Sequence, residues 1–273
     1  MQTLKSIVAG AAIVTVFSLS AAEAQTWKGP YISGHFGKAT QKDDSSETLV
    51  FDKNLDGNFS DTVTTAAGAN AFSPGFCGGG ANGSTPDRGC IADDDGADYG
   101  GRIGYDWQMG ALVFGLVGEY SKHKIEDHVA GFSTTPAFYT MTRQIDHSTA
   151  LRARIGFGAE RFLIYGTGGG VIGDLEYDFG SSNTVNTFVR DEDAMIYGFQ
   201  AGGGIEFKLM KRVSLSGEYL FTSLDDRDKF TVRAQGPAPA TNPFILTNAA
   251  GTDIRRTDKF KFQSLRASLN FRF

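Results

Sequence analysis

Apolar and polar residues alternate one by one along most of this chain, and that period of two limits what it can fold into. In a strand, successive side chains point to opposite faces, whereas a helix needs apolar residues three and four apart. Leu151, Ala153, Ile155 and Phe157 share one face of their segment, against Arg152, Arg154, Gly156 and Gly158 on the other. Val213 to Tyr219 repeats the rule, with Ser214, Ser216 and Glu218 on its polar side. The final segment sets Leu265, Ala267, Leu269, Phe271 and Phe273 against Arg266, Ser268, Asn270 and Arg272. The pattern is that of an all-β protein.

Eight such segments are legible, at 29–40, 97–108, 111–121, 146–158, 161–172, 194–208, 212–224 and 260–273. A tilted strand needs about 9 to 11 residues to cross a bilayer, and each segment is long enough. The connections alternate in length. Long ones cover 41–96, 122–145, 173–193 and 225–259, and short ones are Met109-Gly110, Ala159-Glu160 and Leu209-Met210-Lys211. A barrel in an outer membrane requires tight periplasmic turns and long outer loops, while a soluble sandwich has no reason to alternate so strictly. The expected fold is an eight-stranded antiparallel up-and-down transmembrane β-barrel with long extracellular loops. A hairpin of Thr48-Leu49-Val50-Phe51 with Asp61-Thr62-Val63-Thr64 would raise the count to ten.

In such a barrel the apolar face meets lipid and the polar face fills the interior. The alternation assigns Tyr99, Tyr105, Trp107, Tyr120, Tyr165, Phe199, Phe207, Tyr219, Phe271 and Phe273 to the outside, several at strand ends where an aromatic girdle belongs. It assigns Arg102, Asp106, Glu119, Arg152, Arg154, Gln200, Glu206, Glu218, Arg266 and Arg272 to the inside, together with Gly100, Gly104, Gly156, Gly158, Gly166, Gly168, Gly170, Gly198, Gly202 and Gly204. Buried charge is costly unless paired, so Arg102, Glu119, Arg152, Arg154, Glu206, Glu218 and Arg266 are expected to form an ionic network in the lumen. Eight strands enclose a space just wide enough for side chains, which makes a wide pore an unfavourable reading.

The N-terminal stretch reads as an address. Met1 to Lys5 is positively charged, Ile7 to Leu19 is an apolar run too short to stay in a bilayer, and Ala22-Glu23-Ala24 is a small-x-small cleavage site. Residues 1–24 are expected to be a signal peptide, with Gln25 starting the mature chain and 25–273 forming the barrel domain. No Cys follows the site, which leaves nothing to carry a lipoprotein anchor. A net charge of −5 argues against a nucleic-acid partner. With 35 Gly, 22 Phe and 9 Tyr but only 7 Pro, the chain is neither collagen-like nor disordered.

Trp27-Lys28-Gly29-Pro30-Tyr31-Ile32-Ser33-Gly34-His35-Phe36-Gly37 resembles the W-x-G-x-Y-x-G-x-x-x-G first strand of small outer-membrane barrels of alphaproteobacteria, with the middle glycine one residue later here. Gly100-Gly101-Arg102-Ile103-Gly104-Tyr105-Asp106-Trp107-Gln108 resembles that family's G-G-x-x-G-Y-x-W-Q strand, and Tyr165-Gly166-Thr167-Gly168-Gly169 its Y-x-T-G-G strand. Terminal Phe273 resembles the C-terminal signal read by the barrel-insertion machinery. The family is porin-like and related to opacity-type surface antigens. The resemblance implies a barrel, envelope integrity and surface antigenicity. Some members bind haem, although no haem motif is legible here. Outer-membrane lipid and lipopolysaccharide are the expected surroundings of what we read as a monomer.

The outer loops are acidic: 41–96 carries Asp43, Asp44, Glu47, Asp52, Asp56, Asp61, Asp87, Asp93, Asp94 and Asp95, and 173–193 carries Asp174, Glu176, Asp178, Asp191, Glu192 and Asp193. Such charge suits either solvation or divalent-cation capture. Asp52-Lys53-Asn54-Leu55-Asp56-Gly57 matches the opening of a calcium loop through Asp52, Asn54 and Asp56, but the bidentate Glu expected at position twelve is Val63. Cys77 and Cys90, on one exported loop, are expected to form a disulfide.

Enzyme signatures are weak. Gly168 to Gly173 matches G-x-G-x-x-G but opens no helix. Asp146, His147 and Ser148 are consecutive on a strand, so neighbours point to opposite faces and cannot form a triad alone. The expectation is a non-enzymatic barrel with a structural or surface-interaction role. The alternatives are a narrow porin for small solutes or ions, and a receptor for haem or divalent cations.

Overall fold

The computed structural model describes residues 26–41 and 47–273; the expected signal peptide lies outside them. The strands, in chain order, are β1 (Gly29–Thr40), β2 (Leu49–Asp52), β3 (Gly75–Gly78), β4 (Gly80–Ala81), β5 (Cys90–Ile91), β6 (Gly96–Met109), β7 (Leu112–Ser133), β8 (Ala137–Gly158), β9 (Phe162–Ser181), β10 (Thr187–Arg190), β11 (Ala194–Lys208), β12 (Val213–Leu224), β13 (Val232–Gln235), β14 (Thr252–Arg256) and β15 (Phe260–Arg272). Eight of these close into a ring in the order β7-β6-β1-β15-β12-β11-β9-β8, with β7 pairing back onto β8. Every neighbouring pair is antiparallel, and β1 against β15 joins the two ends of the chain. Closure leaves no free edge in the ring, which a strand in hydrocarbon requires.

The outer segments differ from the sequence reading. Residues 122–145 and 173–193 were expected to be loops, yet β7 and β8 each run for 22 residues and β9 for 20. On the opposite side β1, β12 and β15 have only 12 or 13. About 9 to 11 residues cross the membrane, so β7, β8 and β9 stand well above it as a wall. The low side is built up by a separate sheet in the order β10-β13-β14-β2. The hairpin that would have made ten strands belongs here: Phe51 bridges Asp61, while β2 pairs with β14 and not with the ring.

Sidedness changes with height for a physical reason. At membrane level the outside is lipid, so Leu151, Ile155, Phe157 and Ile164 are exposed outward and the charged residues point in. Above it the outside is water. There Ile125, Met141, Ile145 and Leu175 turn inward and form an apolar core with Leu49 and Phe51 of β2, Val232 of β13 and Ile254 of β14. A bulge between Ile145 and His147 marks the change on β8. Below it even-numbered residues face in, and above it odd-numbered ones do. One extra residue flips the face of everything beyond it.

Candidate functional site

The lumen is the densest concentration of chemistry in the molecule. It is organised in tiers. At the periplasmic end, Arg154 grips Asp106, with Nε to Oδ1 at 2.8 Å, and reaches Glu206 at 3.3 Å. Arg272 meets Asp106 at 2.8 Å. Beneath them Trp27 is fully buried, donating its backbone N–H to Gln108 Oε1 at 2.8 Å and its indole N–H to the Ala159 carbonyl at 2.7 Å. Arg154 lies over the rings of both Tyr31 and Tyr165 at 4.9 Å. Two glycines admit these rings. A Cβ on Gly104 would lie 2.4 Å from the Tyr31 ring, and one on Gly158 would lie 2.6 Å from Trp27. Trp27 and Tyr31, two residues of the first-strand motif, thus close the lower mouth.

In the middle tier three guanidiniums face three carboxylates. Glu119 meets Arg266 at 2.5 Å, Arg152 at 2.8 Å and Arg102 at 3.4 Å. Glu218 meets Arg102 at 3.2 Å and Arg152 at 3.5 Å, and Arg266 reaches Asp98 at 2.7 Å. His35 and His123 each approach Asp98 Oδ1 at 3.6 Å. The charges balance, as burial demands. All the residues expected in the network are therefore brought together, Arg154 and Glu206 one tier below the rest.

The third tier was not expected. Arg143 donates to both carboxylate oxygens of Asp226, at 2.8 and 2.9 Å, and also grips Asp127 and Asp258. Arg256 joins Asp127 at 2.7 Å and Glu47 at 3.1 Å. Ligand atoms of Glu47, Asp127 and Asp258 all lie within 4.8 Å of one another. Burial raises the Glu47 carboxyl; Arg256 opposes this, but Asp127 and Asp258 reinforce it, and the pKa reaches about 9. Asp258 moves the other way: despite burial, Arg143 and Arg256 hold it well below the usual carboxylate range. The available signal was Asp127, which keeps the inward parity of Glu119 once β7 is allowed to continue.

Some assignments are corrected. Tyr165, expected outside, is buried and donates to Glu218 at 2.8 Å. The face of β9 is accordingly reversed, so Gly166, Gly168 and Gly170 lie on the lipid side with Phe162 and Ile164, and Gly169 takes the inward parity. The other expected inward charges, Arg102, Asp106, Glu119, Arg152, Arg154, Glu206, Glu218, Arg266 and Arg272, are all buried.

In the loops, Cys77 and Cys90 are bonded to each other. The Asp52 carboxylate accepts the Gly57 N–H at 2.7 Å and the Asp56 N–H at 3.2 Å. Asn54 Oδ1 accepts the Asp56 N–H at 3.3 Å, and Asp56 Oδ1 accepts that of Asn58 at 2.8 Å. Val63, at the twelfth position, is buried in the apolar core and supplies no oxygen. The Ser148 hydroxyl lies 2.9 Å from His123, and these two are sealed inside the barrel, whereas His147 meets Asp146 at 3.2 Å on the other face.

Residues 9–273 match the family described as outer membrane protein beta-barrel domain. The chain belongs to that family. It is an outer-membrane protein, and its relatives include outer-membrane proteins of alphaproteobacteria. A 22 kDa outer membrane protein of Rhizobium leguminosarum bv. viciae is 26% identical over 48% of this chain and 54% of its own length. A 31 kDa outer-membrane immunogenic protein of Brucella melitensis is 25% identical over 64% of this chain and 65% of its own. The chain thus spans between half and two thirds of these relatives. Among solved structures, OprG of Pseudomonas aeruginosa is 12% identical, covering 90% of this chain and 97% of its own, with a TM-score of 0.46. Neisserial surface protein A is 10% identical with a TM-score of 0.37.

Proposed function

We propose that this outer-membrane barrel is non-enzymatic and closed, strengthening the envelope and presenting its capped outer end as an interaction surface. One observation carries the reading: the lumen is filled. Arg102, Glu119, Arg152, Glu218 and Arg266 are each no more than 5% exposed, with Trp27 below them and an apolar core above. A solute path would have to break several buried ion pairs at once.

The surroundings fit a monomer embedded in lipid. Outward-facing Lys122 and Lys124 stand exposed where β7 leaves the membrane, a position suited to lipopolysaccharide phosphates. Phe273 and Phe271 pack edge to face on the outside, in line with recognition of this strand by the insertion machinery. The naming of the Brucella relatives as immunogenic supports a surface-antigen role for the cap. The deciding experiment is conductance in planar bilayers. No current above the lipid background is expected, and steady single-channel steps would replace this reading with that of a narrow porin.

A further inference from the structure

We propose that the periplasmic rim carries a binding site for the headgroup of an anionic phospholipid, built from Arg161, Lys211, Arg212 and Lys28. These four are exposed, and none has an ion-pair partner among the described residues. At the outer end Arg190, Arg227, Arg233, Arg255 and Lys259 are paired with aspartates, while Lys122, Lys124 and Lys229 are exposed without an ion-pair partner among the described residues.

The cations form one arc because backbone hydrogen bonds tie their turns side by side. Lys208 N–H donates to the Arg161 carbonyl at 2.9 Å, joining the 159–161 turn to the end of β11. The 209–212 turn follows directly, and Arg272 N–H donates to the Arg212 carbonyl at 2.8 Å. Phe273 N–H then donates to Pro30 at 3.1 Å, which brings Lys28 into line. The arc runs over β9, β11, β12, β15 and β1, and Glu160 is the one exposed acid in these turns. Lys208 is occupied by the Thr26 carbonyl and the Trp27 ring, so its charge adds to the field without being free to reach out.

Apolar neighbours select lipid over a soluble anion. Phe162, Leu209 and Met210 are 56%, 53% and 70% exposed beside the cations. A phosphate in solution would leave them in water, whereas a lipid covers them with acyl chain while its phosphate meets the guanidiniums.

The test uses the full chain reconstituted in phosphatidylcholine vesicles with a minor fraction of spin-labelled phosphatidylglycerol or spin-labelled phosphatidylcholine. Each cation near an anionic surface is worth about fivefold in affinity, so a preference for phosphatidylglycerol is expected. The combined Arg161→Gln, Lys211→Gln and Arg212→Gln variant should bring it to parity, with heat-modifiable gel mobility showing that the barrel is folded. Lys122→Gln with Lys124→Gln, at the other end, should leave it intact, and so should Arg161→Lys with Arg212→Lys, which keeps the charge. An unchanged preference in the triple variant would overturn the site. So would equal loss in the lysine variant, which would mean a structural effect. Displacement of the lipid by inorganic phosphate at matched ionic strength would reassign the rim to soluble anions.

Discussion

Tyr165 on β9 donates its phenolic hydrogen to Glu218 on β12 at 2.8 Å, and Arg102 grips the same carboxylate oxygen at 3.2 Å. The phenol therefore completes the solvation of a carboxylate that water cannot reach. A hydrogen bond to a charged group contributes about 1.5–3 kcal/mol. Tyr165→Phe should lower the unfolding free energy of the reconstituted barrel by that amount in a denaturant titration, without changing its gel mobility.

Glu119 should be less dispensable. It faces Arg102, Arg152 and Arg266 together. Glu119→Gln leaves a surplus of buried positive charge, and breaking such a pair costs about 3–5 kcal/mol. Glu176→Gln, on the exposed face of β9, should stay within about 0.5 kcal/mol under the same titration.

The cap should respond to pH through Glu47. Its folded pKa, about 9, lies above the usual value of about 4.3 for an unfolded chain. Between those values the folded state holds a proton that the unfolded state has lost. Stability attached to this group is complete below the lower value and falls as pH rises toward the upper one. Amide exchange in β2 and β14, corrected for intrinsic rates, should quicken from pH 5 to pH 9, and Glu47→Gln should flatten the trend.

Removing the Cys77–Cys90 bond should act locally. The cysteines are 13 apart in sequence, and on chain-entropy grounds closing so short a loop is worth about 3 kcal/mol. Cys77→Ser with Cys90→Ser should expose the 75–91 segment to protease on intact cells while the barrel keeps its heat-modifiable mobility.

The lipid face can be tested at Leu151, which is 66% exposed at mid-strand on β8. Leu151→Arg should cost about 2–4 kcal/mol in a bilayer. A loss well under 1 kcal/mol would place this face outside the hydrocarbon.

Much of the ring was legible because lipid and lumen impose opposite demands on neighbouring residues. Arg152 and Arg154 against Leu151 and Ile155 leave one orientation open. Tyr165 was not legible: Phe162-Leu163-Ile164-Tyr165 is apolar on both parities, so the pattern there does not choose a face. The outer half of β8 was hidden by its bulge, which breaks the period between Ile145 and His147. Strands standing in water also show polar residues outward, as loops do, so the pattern alone does not separate the long extensions of β7 and β9 from connections.

Period, turn spacing and the first-strand motif, all local properties, determined by themselves that this chain makes a membrane barrel with its charges inside. Only the tertiary structure decided which charges meet. Arg266 reaches Asp98 across 168 positions, and Arg102 reaches Glu218 across 116. Partners on non-adjacent strands meet according to the stagger of the closed ring, a quantity that no single strand carries.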